Sequence, residues 1–279
     1  SQIATHVSSV TFTPADWNVP QTVTVTAVND AIAEANPHTG SITHTTSSGD
    51  ANFNGLSVAG ITVSVIDDDI AGIIVSLTSG LVTTEAGGTD TFTVVLTSQP
   101  VADVTMSLTS SDTTEGTVSP ASLTFTAVNW NVPQTVTVTG VDDSVVDGNV
   151  DYSIVVDAAS SADVNYNGVD PADVSVTNSD DDVADITIAP TVLTMTENSA
   201  PQQYSITVAT TPNAPFTLAL SFDPSQLRVN GSATSPVLLT ITDGGLVTVT
   251  VYVVENSEVN TDRAAVITHT IVSSGAPEY

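Results

Sequence analysis

The chain repeats itself. The segment FTPADWNVPQTVTVTAVND, starting at Phe12, returns as FTAVNWNVPQTVTVTGVDD from Phe125, which places Trp17 and Trp130 113 positions apart inside an identical run WNVPQTVTVT. The same spacing carries Asp67, Asp68 and Asp69 onto Asp180, Asp181 and Asp182, and Phe53 onto Tyr166 and Tyr279. A period of this length defines the folding unit directly, ahead of any estimate from total length. Three copies are expected: the second half of a unit over 1–69, a complete unit over 70–182, and a diverged unit over 183–279 that stops before its last strand. Both ends then fall inside units, so the chain reads as an excerpt of a longer array, or as one whose ends pair with neighbours.

Within the complete unit the apolar period is two, carried by Val, Thr and Ile and punctuated by Gly, Pro, Asn and Asp. Strands are predicted from about Gly72 to Thr84 with a Ser-Gly break, then over Asp90–Thr97, Asp103–Thr109, Ser122–Ala127, Gln134–Val141, Val150–Ala158 and Ala172–Thr177. Seven strands and no convincing helix give an all-β fold class: tandem immunoglobulin-like, seven-stranded antiparallel β-sandwiches strung in a row. In the run from Thr135 to Thr139 the valines face the core and the threonines face water. Trp17 and Trp130 precede that strand in a tight connection and are expected to plug one end of the sandwich.

Charge narrows the function classes. There are 31 Asp and Glu against two basic side chains, Arg228 and Arg263, for a formal net charge of -29. Such a surface neither neutralises nucleic-acid phosphates nor docks on anionic lipid, and without lysine there is no phosphate-binding GxxxxGK[ST] loop. A 41% hydrophobic fraction against 12% charged residues still supplies a core, so the acidity does not mean disorder. No cysteine is present, so stiffness has to come from packing and metal ions. No apolar run approaches the roughly 20 residues that span a bilayer.

In an up-and-down seven-strand count, the loops after strands one, three and five share the end at which strand seven leaves. The first begins at Glu85, the second holds Asp112 and Glu115, the third is VDDSVVDGN with Asp142, Asp143 and Asp147, and strand seven exits into Asp180, Asp181 and Asp182. Carboxylates converging from four places repel one another unless a cation sits among them. Oxygen ligands with neither His nor Cys are the donor set of Ca²⁺, which takes six to eight oxygens in flexible geometry, and they suit Mg²⁺ less well. The competing reading is solvated turns and linkers in an acidic protein. The first copy repeats the pattern through Asn29, Asp30, Glu34 and Asp67–Asp69 without its earlier strands. In the third copy Glu197 matches Glu85, Glu255 and Asn256 fall opposite the Asp pair, and Asn260 falls opposite Asp147.

On TTEAGG at Glu85, MTENSA at Glu197, the acidic turn Asp142, Asp143 and Asp147, and the closing DDD, the chain resembles the Calx-β repeat. That sandwich occurs in the regulatory region of sodium/calcium exchangers, in integrin tails and in large bacterial and cyanobacterial surface proteins. The resemblance implies Ca²⁺ ligation by Glu85, Asp142, Asp143, Asp147 and Asp180–Asp182, with a carbonyl from Val145. The family's acidic ligand between the third and fourth strands is not clearly matched. The NWNVPQTVTVTGVDD phrasing resembles the bacterial surface-array branch rather than the exchanger, which implies a domain that extends and presents.

Nothing supports catalysis. The histidines His6, His38, His44 and His269 are scattered, and neither HExxH nor GxSxG occurs. The expected function is a calcium-stiffened stalk or filament of an extracellular surface protein, with neighbouring repeats of the same or a longer chain, or further copies in a homopolymer, as partners. The alternatives are a carbohydrate- or protein-binding module, against which aromatics at 5% speak, and a filament subunit joined by strand donation.

Overall fold

Threonine and valine alternate through much of the chain, and the clearest alternations resolve into strands with one buried and one open face. The computed structural model describes residues 2–255 and 262–279, among which there is no helix. In the N-terminal stretch β1 (Ile3–Thr5) pairs with β2 (Val25–Ala27) and β3 (His38–Ile42) pairs with β4 (Ile61–Val65), as two separate two-stranded sheets. These sheets bury little. Trp17 is 71% exposed, and Phe12 and Phe53 are exposed as well.

The middle stretch continues with β5 (Ile73–Val75), β6 (Leu81–Thr84), β7 (Thr89–Leu96), β8 (Val104–Ser110), β9 (Gly116–Ser119), β10 (Ser122–Phe125), β11 (Gln134–Gly140), β12 (Val150–Val156), β13 (Ser160–Ser161) and β14 (Val174–Ser179). One layer runs β5-β7-β11-β9 and the other β10-β8-β12-β14-β6, with β13 on β8. Phe92, Val94, Val136 and Val138 of the first layer meet Met106, Leu108, Phe125, Ile154 and Val176 of the second in one core. This is a β-sandwich. Trp130 packs partly buried against that core, as a plug would. Trp17 does not, because the small sheets around it offer no opposing layer.

Three features depart from the seven-strand expectation. The long first strand is broken at Leu77 (φ 55°) and Gly80 (φ 84°), so β5 and β6 lie in opposite layers. Having crossed over, β6 runs parallel to β14, from Leu81 beside Val176 to Thr84 beside Ser179, so the sandwich is not wholly antiparallel. The short β9 and β13 escape a period-two search, which needs about four to eight alternating residues to register.

The C-terminal stretch holds β15 (Ile186–Ala189), β16 (Gln202–Val208), β17 (Phe216–Ser221), β18 (Leu227–Val229), β19 (Val237–Ile241), β20 (Gly245–Val253) and β21 (Thr268–Ser274). Its layers are β15-β16-β20-β18 and β19-β17-β21, closed over Tyr204, Ile206, Leu218, Leu220, Val249 and Val251. Leu193 and Met195, which match Leu81 and Thr83 of β6, form no strand and are only partly buried.

Candidate metal centre

The acidic end of the middle sandwich is built on a buried polar floor. Asn178, 1% exposed, occupies an inward position of β14 where the alternation calls for an apolar residue. Its Oδ1 accepts the Thr83 hydroxyl at 2.9 Å, and its Nδ2 donates to Val141 O at 3.2 Å and Glu115 Oε2 at 3.3 Å. Gly140 and Gly116 let the strands close over this floor: a Cβ on the first would collide with Thr84 O and Asn178 Oδ1, and on the second with the Tyr152 ring.

Two groups of three carboxylates stand on the floor, each with ligand oxygens within 4.8 Å of one another. Glu85, Asp180 and Asp182 form one; Glu115, Asp143 and Asp147 form the other. Glu85 directly follows β6, and its N–H continues the parallel pairing to Ser179 O at 3.1 Å. That turns its side chain inward, where it is 2% exposed and accepts the Asp181 N–H at 3.3 Å. Asp180 accepts the N–H of Gly148 at 2.8 Å and that of Asp182 at 2.8 Å. Asp143 accepts the Val145 N–H at 2.7 Å.

These acids pay for their proximity in proton affinity. Burial, opposed by the Asp181 N–H and reinforced by Asp180, Asp143 and Asp147, pushes the Glu85 carboxyl up to about 7. Burial first, and neighbouring carboxylates after it, also raise Glu115, Asp147 and Asp182. Asp182 Oδ2 is buried with no hydrogen-bond partner. A buried, unpaired carboxylate oxygen among other carboxylates is satisfied by a cation and by little else. An all-oxygen donor set spread over three loops and the segment leaving β14 fits Ca²⁺, and Glu85, Asp180, Asp182, Glu115, Asp143 and Asp147 are the residues that would hold it.

The remaining sequence candidates are placed differently. Asp112 is turned away: its Oδ1 accepts the hydroxyl and N–H of Thr114, hydrogen bonds that lower its pKa, and Glu115 instead stands beside Asp143 and Asp147. Asp142 and Asp181 lie at the rim, exposed, with their carboxylates outside both groups. Val145 accepts the Asp147 N–H at 3.0 Å through its carbonyl. Asn178 was not singled out from the sequence, although its signal is there, as a polar residue at an inward position of an alternating strand.

In the N-terminal stretch Asp67, Asp68 and Asp69 form a third group. Asp67 Oδ2 accepts the Glu34 N–H at 2.6 Å, and Gln2 Nε2 donates to Glu34 Oε1 at 2.7 Å and Asp30 Oδ2 at 3.4 Å. His38 Nε2 lies 3.3 Å from Glu34 Oε2. In the C-terminal stretch Glu197 and Glu255 are exposed and join no acidic group among the described residues. Asn256 and Asn260 lie outside the described residues.

No protein-family model matches the chain, and no curated protein matches it. Among solved structures it is similar to CBD12 from CALX1.2, at 15% identity and a TM-score of 0.32 over 67% of this chain and 76% of that one. It is also similar to the calcium binding domain CBD12 of CALX1.1, at 14% and 0.33 over 65% and 78%. A third is the periplasmic chaperone SfaE, at 10% and 0.31 over 70% and 98%. The assignment of a β-sandwich stands on the strand pairing above, independently of these likenesses.

Proposed function

We propose that the chain is a run of Calx-β-like sandwich units, 1–69, 70–182 and 183–279, stiffened by Ca²⁺ within an extracellular surface protein, where it extends and supports a stalk or filament. The observation that carries this reading is the unpartnered, buried Asp182 Oδ2 beside Glu85 and Asp180. Without a cation that end of the sandwich holds like charges together at low dielectric; an ion there would tie the loop after β6, the loop between β11 and β12 and the segment leaving β14 to one another. Binding to the folded state alone adds roughly 2.7 kcal/mol per site at a hundredfold excess over Kd, which extracellular millimolar calcium supplies even to weak sites.

Calorimetric titration of metal-stripped protein with Ca²⁺, alongside thermal unfolding with and without the ion, tests the proposal. Saturable binding and a raised Tm are expected. No heat and an unshifted Tm at millimolar Ca²⁺ would overturn it.

A further inference from the structure

The same backbone hydrogen bond joins successive units at both junctions. At the first, Ala31 O accepts the Gln99 N–H at 2.6 Å; at the second, Ser144 O accepts the Thr211 N–H at 2.7 Å. Ala31 and Ser144 are repeat equivalents, each third after the valine that closes TVTVTAV or TVTVTGV. Each donor stands second in a Ser-Gln-Pro or Thr-Thr-Pro turn, at Ser98–Pro100 and Thr210–Pro212. The side chains differ at both acceptor positions and both donor positions, so what recurs is backbone geometry.

Each turn is fixed from inside its own unit. The Tyr166 hydroxyl donates to Ser98 O at 2.6 Å, and the Tyr279 hydroxyl donates to Thr210 O at 3.1 Å. Further contacts widen each junction: Val145 bridges in parallel with Thr211, and Asn165 Nδ2 donates to Ala33 O at 2.8 Å. A chance collision between flexibly linked domains would not select the same pair of positions twice, nor aim at them an N–H from a turn that a tyrosine hydroxyl of its own unit fastens.

We infer that the turn between β7 and β8, and its equivalent between β16 and β17, is the docking element of the repeat, and that its partner is the acidic loop of the preceding unit. Each unit is thereby set on the one before in a common orientation. Ser144 lies between Asp143 and Asp147, so the docked carbonyl belongs to the loop proposed to bind the ion. That last link alone rests on the calcium reading, and it makes ion binding and docking mutually reinforcing.

The test uses the whole chain, whose lack of cysteine makes any engineered pair unambiguous. In Ser144→Cys/Thr211→Cys the hydroxyls replaced lie 3.4 Å apart, within reach of disulfide geometry. Mild oxidation should give an intrachain disulfide, and Ala31→Cys/Gln99→Cys should do the same at the first junction. Spin labels at Ser107→Cys and Thr240→Cys should show one narrow distance distribution, which broadens several-fold in Thr211→Pro, where the donor N–H is gone, and not in Thr211→Ala. Free thiols after oxidation, together with a broad distribution in the parent, would overturn the inference even where calcium binds. Disulfide formation in protein that binds no calcium would uphold docking and overturn the calcium reading instead.

Discussion

The Tyr166 hydroxyl satisfies all three polar groups of Ser98: it donates to the carbonyl at 2.6 Å and accepts the N–H at 3.0 Å and the side-chain hydroxyl at 2.8 Å. Both residues are buried, at 1% and 0% exposure. Tyr166→Phe keeps the ring and strands three polar groups of Ser98, so the middle sandwich should lose about 1–3 kcal/mol. For a domain of this size that lowers its Tm by roughly 4–8 °C per kcal/mol. Differential scanning calorimetry reads the shift, and an unchanged transition would show the hydroxyl to be dispensable.

The repeat register displays Phe53, Tyr166 and Tyr279 as one position, but it does not say what the hydroxyl is for, because Ser98 lies 68 residues away. That boundary recurs elsewhere. Alternation reveals the strands of the middle sandwich, since burial on one face writes itself into every second residue. The crossing between β5 and β6 does not show, because a break at Leu77 and Gly80 looks the same whichever layer the chain enters next. The acidic loops are legible as composition. Which carboxylate turns inward is decided by local hydrogen bonds: Thr114 claims Asp112, and Asn178 draws in Glu115.

Those orientations separate the acids functionally. Asp182→Asn and Asp143→Asn each remove a charged oxygen from a carboxylate group and should weaken calcium binding by more than about tenfold, the lower end of what even outer-shell losses cost. Asp112→Asn, whose carboxylate caps its own turn, should leave the isotherm unchanged. Titration calorimetry on the three variants decides it, and equal effects from all three would reduce the site to a diffuse negative field.

In the absence of a cation the protein should have an inverted pH dependence. Glu85 is held at about 7 when folded against 4.5 as a free side chain, chiefly by burial. The folded state therefore binds the extra proton between those values, and stability falls as pH rises through that window. Metal-stripped protein should have a lower Tm at about pH 8 than at about pH 5, and Glu85→Gln should flatten the difference. Saturating calcium should remove it, because the ion takes the place of the proton. A Tm that climbs over this range in the stripped protein would contradict the assignment.

The C-terminal sandwich should respond to acid in the opposite sense. In the middle sandwich Phe92 pairs with Val136 and Val156 pairs with Leu108; at the equivalent places Tyr204 pairs with Val249 and His269 pairs with Leu220. Two apolar residues are thus exchanged for a polar pair, with the Tyr204 hydroxyl 2.9 Å from His269 Nε2 and the rings meeting edge to face at 5.5 Å. Burial holds the imidazole below its usual 6.5 and pushes the phenol up to about 12. The unfolded chain therefore takes up a proton before the folded one does. Stability is fully present above 6.5 and is lost as pH falls from there toward the folded-state value. Tyr204→Phe/His269→Val restores the apolar pair of the middle sandwich and should abolish this acid sensitivity at little or no loss of stability at neutral pH, since both polar partners go together. His269→Val alone strands the Tyr204 hydroxyl and should destabilise the unit by about 1–3 kcal/mol. Thermal unfolding of the three proteins between about pH 5 and pH 8 separates these outcomes, and acid sensitivity that survives in the double variant would place its source elsewhere in the chain.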